Sequence, residues 1–209
     1  MTFPRAPRVL KGAFVQLERS SAQPRVIGFQ YNPEKLLRRI DESRQSRGRA
    51  SPAESPREVI TCTLELDATD ALERPDDHPE VGEHGIYPTL SALELLMRPR
   101  ETAGRRSWLQ RLFGARPDPG AIVLFVWGAK RVVPVRLTRL TVDESLHSPE
   151  LVPLRASVKV AMQVLRAEDF PRGHWGRDIA ARHATMLKDL AGRALDSTPP
   201  VDLHFGKPG

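Results

Sequence analysis

From Leu154 to Val164 the chain alternates with a period of two. Leu154, Ala156, Val158, Val160, Met162 and Val164 leave on one side, and Arg155, Ser157, Lys159 and Gln163 on the other. Successive side chains of a strand point to opposite faces, so this pattern specifies a strand and argues against a helix. One face calls for burial and the other for water, which suits an antiparallel sheet covered on one side. The preceding ribbon, from Lys130, behaves differently. Val133, Val135 and Leu137 share one parity, whereas Leu140 and Val142 share the other. A slip of one residue near Thr138 and Arg139 predicts a bulge or a bend. Ser145 to Glu150 reads as the turn between the two ribbons.

Other stretches add strands to the same scheme. Arg8 to Glu18 is a first strand, with Val9, Ala13, Val15 and Leu17 on one parity and Phe14 on the other, so both faces are expected to be partly covered. Arg25 to Tyr31 is a second, carrying Ile27, Phe29 and Tyr31 on one face and ending at Asn32-Pro33, where the residue before proline is pushed towards extended geometry. Lys35 to Ile40 fits a helical turn or a third strand, and the strand is favoured. Glu58 to Ala68 alternates cleanly, with Ile60, Cys62, Leu64 and Leu66 inward. Ala121 to Trp127 is a continuous apolar run of strand length, expected to be covered on both faces.

Helices are fewer. Thr89 to Met97 reads as a short helix, with Ser91 and Glu94 resembling a capping box and Pro99 ending it. Asp178 to Leu195 reads as a longer one, with Ile179, His183, Met186, Leu187, Leu190 and Ala194 near one face. A lone helix of this size is marginal in water, so it must dock on the sheet or on a neighbour. Ser43 to Pro56 lacks large apolar residues and reads as a linker or arm. Arg100 to Gly120 reads as a basic insertion in which Trp108 and Phe113 stand among arginines. Protein contact is ranked first for it, nucleic acid second and membrane last. The tail from Ser197 is Pro-rich.

Chemistry-bearing motifs are scarce. Asp70 to Gly85 is polar and acidic and is read as a solvated loop. His78 and His84 lie within it, but their spacing matches neither a zincin helix pair nor a calcium loop. No metal and no cofactor is expected. Cys62 alternates inward and reads as a small core residue rather than a nucleophile, and as the single cysteine it excludes an intramolecular disulfide framework. No apolar run reaches the length of a membrane span and no signal-type segment opens the chain, so a cytoplasmic location is expected. The formal net charge of +6 permits nucleic-acid binding. Low aromatic content and basic residues concentrated in loop-like segments favour a solvated or protein-facing basic surface instead.

Three pieces together resemble a known family. They are Phe29-Gln30-Tyr31-Asn32-Pro33-Glu34 closing an early strand, the strand Ile60-Thr61-Cys62-Thr63-Leu64-Glu65-Leu66, and the joined ribbons whose second begins Pro153-Leu154-Arg155-Ala156. This layout resembles the tube domain of contractile injection systems, over roughly residues 8 to 168. The turn departs from the family's habit: Leu146 and Glu150-Leu151 stand where an aromatic and an Asp-Gly are common. No Gly-Asp-Thr-Leu-like signature of a LysM module is found, so cell-wall binding is not carried over.

The resemblance implies a mainly β protein: an antiparallel tail-tube-like β-barrel or sandwich over residues 1–168 with one short flanking helix, followed by a C-terminal helical extension over residues 169–209. It further implies a homo-oligomeric, six-fold ring within a phage-tail-like particle and a non-enzymatic structural role. The partners would be an inner-tube protein, a spike or hub protein and other baseplate proteins, with no small-molecule substrate. A linker, a basic insertion and a C-terminal helix favour a baseplate adaptor that joins tube to spike. The alternatives are an inner-tube subunit itself or a basic nucleic-acid-binding β-barrel. Candidate assembly residues are Arg155, Ser157, Lys159 and Gln163 on the polar ribbon face, Asn32 and Pro33 at the strand end, Trp108 and Phe113 in the insertion, and Ile179, Met186 and Leu190 on the last helix.

Overall fold

A computed structural model describes residues 10–18, 23–41, 57–74, 76–97 and 121–196. The proposed arm at 43–56 and the basic insertion at 100–120, with Trp108 and Phe113, lie outside them. The strands are β1 (Ala13–Glu18), β2 (Arg25–Gly28), β3 (Leu37–Asp41), β4 (Arg57–Asp67), β5 (Ala121–Val126), β6 (Val132–His147) and β7 (Pro153–Val164). The helices are α1 (Thr69–Leu72), α2 (Pro79–His84), α3 (Tyr87–Met97) and α4 (Gly176–Asp196), with a 3-10 turn at Ala167–Asp169 before the last. All strands join one 7-stranded sheet in the order β2-β1-β5-β6-β7-β4-β3, and every pairing is antiparallel.

The β6–β7 ribbon is the middle of this sheet. On β7 the apolar parity is buried, with Ala156, Val158, Val160 and Met162 fully enclosed. β4 lies alongside and buries Ile60, Cys62, Leu64 and Leu66 on the same face. The expected phase slip is present: the pairing of β6 with β7 shifts between Leu137 and Arg139. The extra residue lets Leu137 and then Leu140 and Val142 meet the same core despite their opposite parities. The ribbon is longer than its sequence suggests. Ser145 to His147 belong to β6, and the reversal is made by Ser148 to Val152, where the Ser148 amide donates to the Val152 carbonyl at 2.9 Å.

The sheet does not close into a barrel by strand pairing, which corrects that part of the expectation: β2 and β3 are its edges. It curls instead, and a side chain spans the gap. The Gln30 amide, two residues past β2, donates from Nε2 to the Asp67 carbonyl at 2.6 Å and accepts the Asp67 amide at 2.9 Å. These are the two bonds that a facing residue of an antiparallel strand would exchange. Asn32 does the same for the start of β1, accepting the Gly12 amide at 2.8 Å and donating to the Leu10 carbonyl at 2.8 Å. The curl encloses one core in which Phe14, Phe29 and Phe125 meet, Phe14 and Phe29 edge to face.

α3 covers this core with Leu90 and Leu93. It begins at Tyr87 rather than Thr89, and Ser91 lies inside it, so the expected capping box does not form. Its start is set from outside the helix: the Ile86 amide donates to the Pro153 carbonyl at 3.0 Å. Gly85 makes that approach possible. It sits at φ +55°, and a Cβ there would collide with the Pro153 carbonyl. Residues 69–84, expected as loop, hold the two helical turns α1 and α2, with Pro79 in the first turn of α2 where its missing N–H costs nothing.

The opposite face of β1 and β5 carries a second, smaller core. Ile122, Leu124, Leu165, Phe170 and Ala180 are buried there, with Val15, Leu17, Trp175 and Ile179 packed around them. This explains the continuous apolar run of β5 and the two-sided β1. Within β1 the main core takes Phe14 alone, while Val15 and Leu17 serve the second core. The first two turns of α4 are thereby fastened to the sheet.

Because Gln30 supplies both partners of a backbone pair at the end of β4, Gln30→Ala is expected to cost about 1–3 kcal/mol of folding stability. Urea unfolding of the variant against the parent checks this, and an unchanged midpoint would mean that the bracket is incidental.

Candidate functional site

The polar parity of the ribbon does form a continuous face. Register places Arg155 between Asp67 and Leu146, Ser157 between Glu65 and Asp143, Lys159 between Thr63 and Thr141, and Gln163 between Val59 and Arg136. β4, β7 and β6 therefore present one broad polar surface on the side away from the main core. Two of the predicted contacts are already satisfied within the chain. Arg155 reaches the Asp67 carboxylate with two nitrogens at 2.7 and 2.8 Å, and the Ser157 hydroxyl donates to Glu65 at 3.0 Å. Lys159 remains exposed on this face.

Asp67 is the electrostatic centre of the surface. Burial acts to raise its pKa, but the Thr69 hydroxyl and amide and the Arg155 guanidinium outweigh it and hold the carboxyl below its ordinary value. Tyr31, exposed nearby, donates to Asp70 at 3.2 Å, and that negative charge pushes the phenol upward. Of the strand-end pair, Asn32 is half-buried and bonds its amide to the start of β1, and Pro33 is buried.

The helix residues separate. Ile179 packs into the second core, whereas Met186 and Leu190 line a groove of about 410 Å³. The groove lies between α4, the β3–β4 end of the sheet and the turn from β5 to β6. His183 stands in its wall, and its Nδ1 is buried without a hydrogen-bond partner. Burial lowers the His183 pKa; Glu58 opposes this, and Arg38 and Arg131 add to it. Across from it Arg38 pairs with Glu58 at 2.7 Å. Trp127, Lys130 and Arg131 complete the rim. Sequence patterning pointed to α4 but not to these partners, because a groove between distant segments leaves no periodic trace.

Cys62 is buried in the main core and desolvation pushes its thiol to about 11, so it is a protonated packing group at neutral pH. His78 and His84 stand at the two ends of α2, both exposed, and among the described residues no three His, Cys, Asp or Glu side chains gather as a metal site. No helix among the described residues is long and apolar enough to cross a membrane. A scan against protein-family models found no match, and no curated protein matches the chain in sequence.

Two outcomes follow for this region. A carboxyl held below its unfolded value contributes stability that is present above about pH 4 and is lost as pH falls through the folded value. Asp67→Asn is therefore expected to flatten the acid limb of a plot of urea midpoint against pH, and an unaltered limb would contradict the assignment. Cys62 is expected to resist a thiol reagent at neutral pH in the native protein and to react fully in denaturant. Rapid native labelling would show that the strand opens.

Proposed function

We propose that the protein is a non-enzymatic structural component of a contractile injection system, a baseplate adaptor that joins the inner tube to the spike hub as part of a six-fold ring. The observation that carries this reading is the pair of unpaired edges on a single antiparallel sheet. β2 exposes Val26 (61%) and β3 exposes Leu37 (56%) and Ile40 (60%), and among the described residues no further strand pairs with the outer edge of either. Edges of this kind invite pairing with another chain, and a contact in which one subunit's edge meets a different edge of the next closes into a ring.

The long ribbon supports the same reading. β5 pairs with β6 only over Val132–Val135, so from Arg136 onward β6 has β7 on one side and, among the described residues, no strand on the other. At its tip Leu151 is 76% exposed and holds φ +65°, a conformation that costs a non-glycine residue roughly 1–2 kcal/mol. An apolar side chain kept in a strained, exposed turn fits a plug for a neighbouring subunit. Between tube polymer and adaptor, the helical additions and the groove beside α4 favour the adaptor, which must match several different neighbours. The work done is geometric: holding rings in register, with no bond made or broken.

Electron microscopy of the purified protein, together with co-purification against sheath, tube and spike proteins, tests the proposal. Rings or retention with those components are expected, and Val26→Lys with Ile40→Lys should abolish them while leaving thermal unfolding unchanged, since both side chains are exposed. A monomer that never associates with such components would overturn the reading. Strong, salt-dependent binding of generic DNA would assign the basic surface to nucleic acid instead.

A further inference from the structure

α4 outruns the sheet that holds it. Its first turns bury Ile179 and Ala180, but Leu187 (40%), Leu190 (46%) and Leu195 (75%) continue along the helix into solvent. Leu187 and Leu190, three residues apart, share one face of the helix, while Leu195, five residues on from Leu190, stands about 140° round it. An amphipathic helix is stable in water when its apolar face is covered, so a partly covered stripe marks a surface with an occupant to come. The groove described above runs along its near end.

The rim of that groove is positive. Arg38 is matched by Glu58, but Lys130 and Arg131 form no ion pair among the described residues. His183 adds an unpartnered ring nitrogen in the wall. The surface thus combines the Met186, Leu187 and Leu190 side chains of one helix face with cations that lack counter-charges among the described residues. A helix laid beside α4 would set its own ridges against Met186, Leu187 and Leu190, and acidic residues on its flank would meet Lys130 and Arg131.

We propose that this face of α4 is a docking site for an acidic amphipathic helix of another protein. A second copy fits less well. Two copies meeting through α4 would set one net-positive patch, with Lys130 and Arg131, against the same patch of the other copy. The chain's own acidic helical turns, α1 and α2, are 4 and 6 residues long and bury no apolar side chain of their own to lend. Arg38 of the edge strand β3 lines the groove, but the residues changed in the test below lie on α4 and in the turn from β5 to β6, so that test does not depend on ring formation.

The probe is a labelled synthetic peptide of about 18 residues, long enough to form several helical turns, built on the repeat Leu-Glu-Glu-Leu-Leu-Glu-Ala. A control peptide carries Lys in place of Glu. Fluorescence anisotropy with the full chain is expected to show binding of the acidic peptide, at least tenfold weaker binding of the basic one, and weakening with added salt. Leu190→Glu, and separately Lys130→Glu with Arg131→Glu, should each reduce affinity tenfold or more, with thermal unfolding unchanged. Circular dichroism should show the peptide gaining helix on binding. Equal binding of both peptides, binding of neither, or indifference to Leu190→Glu would overturn the proposal. So would a concentration-dependent dimer in sedimentation that Leu190→Glu abolishes, because the face would then belong to a second copy.

Discussion

Two carboxamide side chains hold this fold in shape. Gln30 joins the end of β2 to the end of β4, and Asn32 holds the start of β1, each by exchanging a donor and an acceptor with backbone. Both work because a carboxamide carries the same pair of groups as a peptide unit. The sheet can therefore curl round Phe14, Phe29 and Phe125, and among the described residues no eighth strand closes it.

The middle of the sheet has the opposite character. β6 and β7 pair over nearly their whole length, and β4 pairs with β7 over nine successive positions from Val59 to Asp67. The polar face they share is cross-linked by Arg155 with Asp67 and by Ser157 with Glu65. Exposed pairs of this kind add little stability individually. Their effect is on register: a one-residue slip would part Arg155 from Asp67 and Ser157 from Glu65 and turn the apolar parity outward. The stiff centre fixes where the soft edges lie, and the second core then fixes where α4 leaves the sheet.

Strand periodicity made much of this legible. The inward faces of β4 and β7 and the slip at Thr138 follow from alternation, because burial on one face leaves a period of two in the sequence; the two-sided coverage of β5 follows from its continuous apolar run, and the strand favoured for Lys35 to Ile40 lies at Leu37–Asp41. The helical turns at 69–84 were hidden because they bury almost nothing and are held by local backbone bonds. The start of α3 was misplaced because Ser91 and Glu94 imitate a cap, while the actual start is set by Pro153, far along the chain. Asn32 and Pro33 looked like surface, yet one serves β1 and the other is buried.

By itself the sequence determined a mainly β, antiparallel chain built around one long ribbon, with an inert interior cysteine and a terminal amphipathic helix. These are local properties, written in the spacing of apolar and polar side chains. Only the tertiary structure decided that the sheet curls without closing, that its ends are bridged by Gln30, and that α4 runs on beyond its support beside Lys130 and Arg131. Each of these depends on residues far apart in sequence meeting in space, and a contact of that kind imposes no period on either segment that makes it.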